Sequence, residues 1–224
     1  LIDMFSNLTP MVKKLLIINI GVHILAGLAP NDIIRQLFSM HNPILPGTEG
    51  LLNPNFKFWQ PFTYMFLHSG SSMMHLFSNM FALFIFGPAI EMYMGSNRFL
   101  KFYIICGIGA AVFNVGVDYI AFFQDPSSDL ALRFLAIKSM LGASGAVFGI
   151  LVAFAMLFPN IEMMLLFLPF PIKAKYFVGM YALFEIVQGF SGAQTGIAHW
   201  AHIGGLVTGF LLLQFFGYKK RIFY

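Results

Sequence analysis

Six times along this chain an apolar run returns that is long enough, or nearly long enough, to cross a bilayer, and this limits the possible folds more than any other feature. A spanning helix needs about 20 mostly apolar residues. Such runs lie near residues 11–29, 73–94, 99–122, 142–158, 174–190 and 197–217. Only 10% of the chain is charged and 58% is hydrophobic, where a soluble domain carries about 25% charged residues; most of this surface therefore belongs in lipid. The expected fold is all-α: a single polytopic membrane domain over residues 1–224 with six transmembrane helices. The first run follows Lys13-Lys14 and ends near Ala26-Gly27-Leu28-Ala29, which is the form of a signal peptide, but the repeated runs downstream favour a retained first helix. Cys106 is the only cysteine and sits inside an apolar run, so it forms no internal disulfide and its expected role is packing.

The connections set the topology. Residues 30–72 form a long segment with turn signals at Asn42-Pro43, Leu45-Pro46-Gly47 and Asn53-Pro54-Asn55 and an amphipathic piece, Ile33 to Phe38, so it is read as interfacial. Asp125-Pro126 turns the next loop, and Pro159-Asn160 stops the fourth span. The apolar piece from Ile161 to Pro171 falls within the ~10–14 residues of an interfacial or re-entrant segment. With six crossings, one side holds Lys13, Lys14, Arg98, Lys101, Lys173, Lys175, Lys219, Lys220 and Arg221; the other holds Arg35, Lys57, Arg133 and Lys138. Positive charge collects on the cytoplasmic side. Both termini are therefore expected in the cytoplasm, with spans two, four and six running inward from the outer face, as fits a bacterial plasma membrane. The net charge of +4 is explained by this orientation; no basic patch interleaved with exposed aromatics suggests nucleic acid.

On that topology four polar side chains begin their spans at one depth: His75, Asn79, Ser144 and His202. Ser144 lies in Leu141-Gly142-Ala143-Ser144-Gly145, and a lone serine becomes a useful nucleophile only beside a base. His202, Gly205 and Gly209 are spaced i, i+3, i+7 and share a helix face. Gly205 and Gly209 make a small-xxx-small pair, as do Gly145 and Gly149, so spans four and six are expected to pack closely. That packing carries His202 to Ser144, with Phe148 one turn below the serine and placed against the imidazole. His75 and Asn79, at i and i+4, point the same way and can donate to an oxyanion. No acid adjoins His202 in sequence, so a Ser–His dyad is the economical reading. Glu91 is expected to make a structural hydrogen bond or a pair with Arg98, and Glu185 a polar contact near the outer interface. The polar run His68 to Ser72 can line a depression that admits water.

These residues resemble the rhomboid intramembrane serine proteases over nearly the whole six-span core: the long first loop, His75-xxx-Asn79, Gly142-Ala143-Ser144-Gly145, and Ala201-His202-xx-Gly205-xxx-Gly209. The resemblance implies a serine endopeptidase in which Ser144 is the nucleophile and His202 the general base and acid. It also implies an oxyanion hole made of the Ser144 N–H and the Asn79 and His75 side chains. The implied substrates are transmembrane helices of other proteins, cut near the outer face, with the lipid bilayer as surroundings and no cofactor or metal. Phe148 stands where many members have Tyr, and Trp59-Gln60 where many have Trp-Arg. Two rivals follow. A non-catalytic binder of membrane helices on the same fold would lose the serine or histidine, and this chain keeps both. A metal protein using His68, His75, His199 and His202 lacks the HExxH pattern of a membrane metalloprotease.

Overall fold

The computed structural model describes residues 8–45, 51–124, 136–164, 170–191 and 196–216. Arg133, Lys219, Lys220, Arg221, the Asp125-Pro126 turn, Pro46-Gly47 and the middle of the 161–171 piece lie outside the described residues. Six long helices organise the chain: α1 (Pro10–Leu28), α2 (Met73–Met94), α3 (Ser96–Gln124), α4 (Ser144–Leu157), α5 (Ala174–Ser191) and α6 (His199–Phe215). The molecule is a polytopic helical membrane bundle. Among the described residues, α1, α2 and α3 are long and apolar enough to cross a bilayer by length and composition alone, and α4 is a shorter apolar helix. Their outward faces carry Ile17, Leu25, Phe81, Val112, Leu183, Phe190 and Leu211, all exposed, and their inward faces carry Asn79, Glu91, Asn114, Glu185 and His202, all buried. Apolar outside and selected polar groups inside is the arrangement lipid enforces.

Pro10 starts α1 at a position where its missing N–H costs nothing. The next two N–H groups, of Met11 and Val12, donate to the Glu91 carboxylate at 2.8–3.1 Å, and Ser96 Oγ donates to the same group at 2.5 Å. An anion is well placed at the positive end of a helix. Of the two roles expected for Glu91, the structural hydrogen bond is therefore the one seen, and it ties the start of α1 to the end of α2. Gly95, at φ 81°, then turns the chain directly into α3.

Residues 30–45 and 51–72 form short pieces held by buried polar side chains. Arg35 Nε donates to the His68 carbonyl at 2.8 Å, and its guanidinium pairs with Asp32. Gln60 is fully buried; its amide donates to the Asn55 and Leu37 carbonyls and accepts from the His41 N–H. Strand β1 (Met40–His41) pairs antiparallel with β2 (Ser139–Met140), Met40 opposite Met140. The long loop thus grips the chain just before α4. Two further contacts extend that grip: the Gly142 N–H donates to the Tyr64 carbonyl at 3.0 Å, and the Tyr64 hydroxyl donates to the Gly107 carbonyl at 2.6 Å.

After α4, β3 (Glu162–Met163) pairs with β4 (Ile172–Lys173), and the Ala174 N–H reaches the Ile161 carbonyl at 2.9 Å. The chain thus returns to the point from which it left, and α5 starts at the level where α4 stops. The core lies around α4, which packs against α2, α3, α5 and α6.

Candidate active site

Glycine decides how near α4 and α6 come. A Cβ on Gly205 would stand 1.9 Å from the Gly145 carbonyl oxygen, and one on Gly209 would stand 2.9 Å from Gly149 Cα. Neither position can hold a side chain, so the two backbones touch along their small-residue faces. The contact aligns the first turns of both helices. Ser144 is the first residue of α4 and His202 lies in the first turn of α6. Ser144 Oγ and His202 Nε2 are 2.8 Å apart, which is hydrogen-bond distance.

The imidazole is held on one face and approached on its far edge. Phe148 lies flat against it, with ring centroids 4.3 Å apart and planes 12° apart; Tyr181 of α5 in turn packs on Phe148 at 4.9 Å. On the far edge Glu185 Oε2 comes to 2.9 Å from His202 Nδ1, off the line of a straight N–H hydrogen bond. The same oxygen is 2.6 Å from His199 Nδ1. Chain order puts no acid beside His202; the fold does, from a different helix. Sequence reasoning gave Glu185 only a polar contact near the outer interface and weighed His199 only as a metal ligand beside His202; it did not foresee that both meet at the far edge of His202. The available signals were a single carboxylate in the apolar run Ala182 to Val187, since ionisable groups inside membranes are rare and usually functional, and the i, i+3 spacing of His199 and His202. Glu185, His199 and His202 each offer a ligand atom within 4.8 Å of the others, so this trio is where the described residues can hold a metal; an ion there would take the Nδ1 and Oε2 atoms that now face one another.

His75 approaches Ser144 from α2. Its Nδ1 accepts from the Ser69 N–H at 3.3 Å, which leaves the ring proton on Nε2 in the neutral form. A Cβ on Gly142 would stand 2.7 Å from His75 Nε2 and 3.7 Å from Ser144 Oγ. The absent side chain therefore opens a small cradle between an N–H donor and the serine. Gly142 also has φ 129°, a conformation that disfavours any other residue. Asn79, one turn further along α2, is buried and donates through Nδ2 to the His75 carbonyl at 2.7 Å, which leaves its second amide hydrogen free of that bond. The first N–H groups of α4 add donors of their own, because the opening turn of a helix has no intrahelical acceptors.

Above the cradle a depression of about 490 Å³ is lined by Asp32, Arg35, Ser69, Gly70, Ser71 and Leu141. His68, in the loop beneath it, is fully buried, and neither ring nitrogen has a hydrogen-bond partner among the described residues. Burial, aided by the charges of His75, His23 and Arg35, pushes its pKa down to about 3. A neutral His68 adds no positive charge beside His75.

Comparison with known proteins bears on what such a site belongs to. The chain matches the Rhomboid domain over residues 55–219. It is 34% identical over 163 residues to Rhomboid protease AarA of Providencia stuartii, covering 66% of this chain and 52% of that protein. It is 32% identical over 155 residues to RHOMBOID-like protein 6, mitochondrial, of Arabidopsis thaliana, covering 69% and 42%. It is 30% identical over 164 residues to Rhomboid protease GluP of Bacillus subtilis, covering 73% and 27%. The matched region spans about half of these relatives' length or less. Because the domain match covers most of the chain and takes in α2 to α6 with His75, Asn79, Ser144, Glu185, His199 and His202, the chain belongs to the rhomboid family.

Proposed function

We propose that this protein is an intramembrane serine endopeptidase that hydrolyses peptide bonds in or near the transmembrane helices of other proteins. The observation that carries this reading is the 2.8 Å approach of Ser144 Oγ to His202 Nε2 at the start of a helix only 14 residues long. Fourteen residues span about 21 Å, against a hydrocarbon core of about 30 Å. If the far end of α4 reaches one surface, its first turn stops several ångströms below the other. The depression beside Leu141, lined by Ser69, Gly70 and Ser71, is the proposed entry for water.

In the proposed reaction a substrate helix unwinds at this site and presents a carbonyl carbon to Ser144 Oγ. His202 Nε2 takes the hydroxyl proton as the Oγ–C bond forms. The developing oxyanion lies in the cradle beside Gly142, facing the His75 Nε2–H, the Asn79 amide and the N–H groups at the head of α4; preorganised donors of this kind stabilise the transition state more than the ground state. His202 then gives its proton to the leaving amine nitrogen, the C–N bond breaks, and a water activated by His202 hydrolyses the ester on Ser144. A peptide bond inside an intact helix cannot reach this geometry, so helix-breaking residues near the cleavage point favour hydrolysis. The charge bias of the loops supports cytoplasmic termini, a site open to the outer face and a plasma-membrane location.

The test is cleavage of a fluorescent-tagged single-span substrate by the purified protein in liposomes, alongside Ser144→Ala and His202→Ala. Cleavage by the wild type with loss in both folded variants is the expected result. Continued cleavage by folded Ser144→Ala would overturn the serine mechanism.

A further inference from the structure

We infer that Glu185, reaching in from α5, is a positioning residue that orients the His202 imidazole of the proposed serine–histidine pair. The inference rests on the serine protease reading above and extends it. Helix α5 is otherwise a lipid-facing helix: of its 18 residues only Ala174, Val178 and Glu185 are buried. A carboxylate placed at such a buried spot is costly unless other groups satisfy it. Glu185 has two such groups. One oxygen, Oε2, faces His199 Nδ1 at 2.6 Å and His202 Nδ1 at 2.9 Å.

A lone pair on either imidazole nitrogen would face the carboxylate oxygen at 2.6 or 2.9 Å and be repelled by it, so the N–H form is favoured at both, as a hydrogen bond from His199 and as a bent electrostatic contact from His202. With its proton on Nδ1, neutral His202 has a bare Nε2, and Nε2 is the atom 2.8 Å from Ser144 Oγ. The carboxylate thus selects the tautomer that can accept the serine proton. It also lies beside the positive charge that forms on the ring as that proton arrives, without itself becoming protonated. The groups facing His202 are Ser144 and Phe148 from α4, Glu185 and Tyr181 from α5, His199 from its own helix and His75 from α2. Glu185 is the only carboxylate in this set. His199 acts on the carboxylate rather than on the serine, because its short contact holds the Glu185 side chain in the rotamer that reaches His202.

The experiment compares Glu185→Gln and Glu185→Asp with wild type, reading kcat and KM separately on the tagged substrate and the thermal midpoint in detergent. Glutamine keeps the shape and removes the charge. Glu185→Gln should lower kcat by about 10²–10⁴-fold, as loss of the acid does in serine triads, with KM within about threefold, and Glu185→Asp should recover part of kcat. A folded Glu185→Gln variant with wild-type kcat would overturn the inference, and so would a loss confined to KM. A second measurement needs no variant and no turnover: ¹⁵N spectra of histidine-labelled wild-type protein should show His202 protonated on Nδ1 and bare on Nε2. The opposite tautomer would overturn the inference even if Glu185→Gln failed to fold. Failure of the wild type to cleave any substrate would count against the protease reading, while the tautomer would still report on Glu185.

Discussion

Helices α4 and α5 are both largely apolar but occupy different environments. Ten of the 14 residues of α4 are buried, and glycines on one side let α6 lie against its backbone. Only three of the 18 residues of α5 are buried, and Leu183, Phe184, Val187 and Phe190 look outward. One helix is walled in by protein on nearly all sides, and the other is mostly bathed in lipid. Each contributes to the site accordingly. The central helix holds Ser144 where its neighbours fix every coordinate, whereas the peripheral helix sends one carboxylate inward. Since lipid tails are as apolar as leucine, α5 gains little from the hydrophobic effect by packing inward. Its inward ties to the site are few: Glu185 to His199 and His202, and the Tyr181 ring on Phe148.

This contrast can be broken most severely at the α4–α6 contact. Gly205→Val puts side-chain carbon into the Gly145 carbonyl, a backbone atom that cannot swing aside. The expected cost is at the upper end of the ~1–3 kcal/mol typical of overpacking, or beyond it, seen as a large fall in thermal midpoint in detergent with activity lost. A variant with wild-type stability would show that the helices are not in contact. Next in size is Asn79→Ala, which leaves the packing of the core nearly intact but removes a donor beside the cradle. Turnover should fall by about 10²–10³-fold with little change in stability; an unchanged rate in folded protein would remove Asn79 from the oxyanion role. The smallest effect is expected on α5. Leu183→Ala alters a side chain that is 61% exposed, so its stability in detergent should stay within about 0.5 kcal/mol of wild type. A loss of several kcal/mol there would mean that α5 is held by packing after all.

Much of the architecture was legible because lipid imposes a simple rule on sequence. The runs read near 73–94 and 142–158 correspond to helices Met73–Met94 and Ser144–Leu157, since apolar length and the Pro159 stop signal are local properties. The meeting of α4 and α6 was legible as well: His202, Gly205 and Gly209 sit on one face by helical period alone. Glu185 was not, because its partner depends on how α5 is rotated about its axis and on how far it lies from α6, and nothing in residues 174–191 records either. The loop before α2 was hidden for a similar reason. Its turn signals and amphipathic piece suggested an interfacial segment, but not that Arg35, Gln60 and Tyr64 knit it to carbonyls 33, 23 and 43 residues away. Long-range polar contacts leave no periodic trace.

The most direct test of the central claim is whether Ser144 is an activated nucleophile. Purified protein in detergent would be treated with a fluorophosphonate, which labels serines that have a working base, and the modified peptide identified by mass spectrometry. The account predicts phosphonylation at Ser144 in the wild type and its loss in folded His202→Ala. Absence of label on Ser144 in folded wild-type protein, or equal labelling with and without His202, would contradict it.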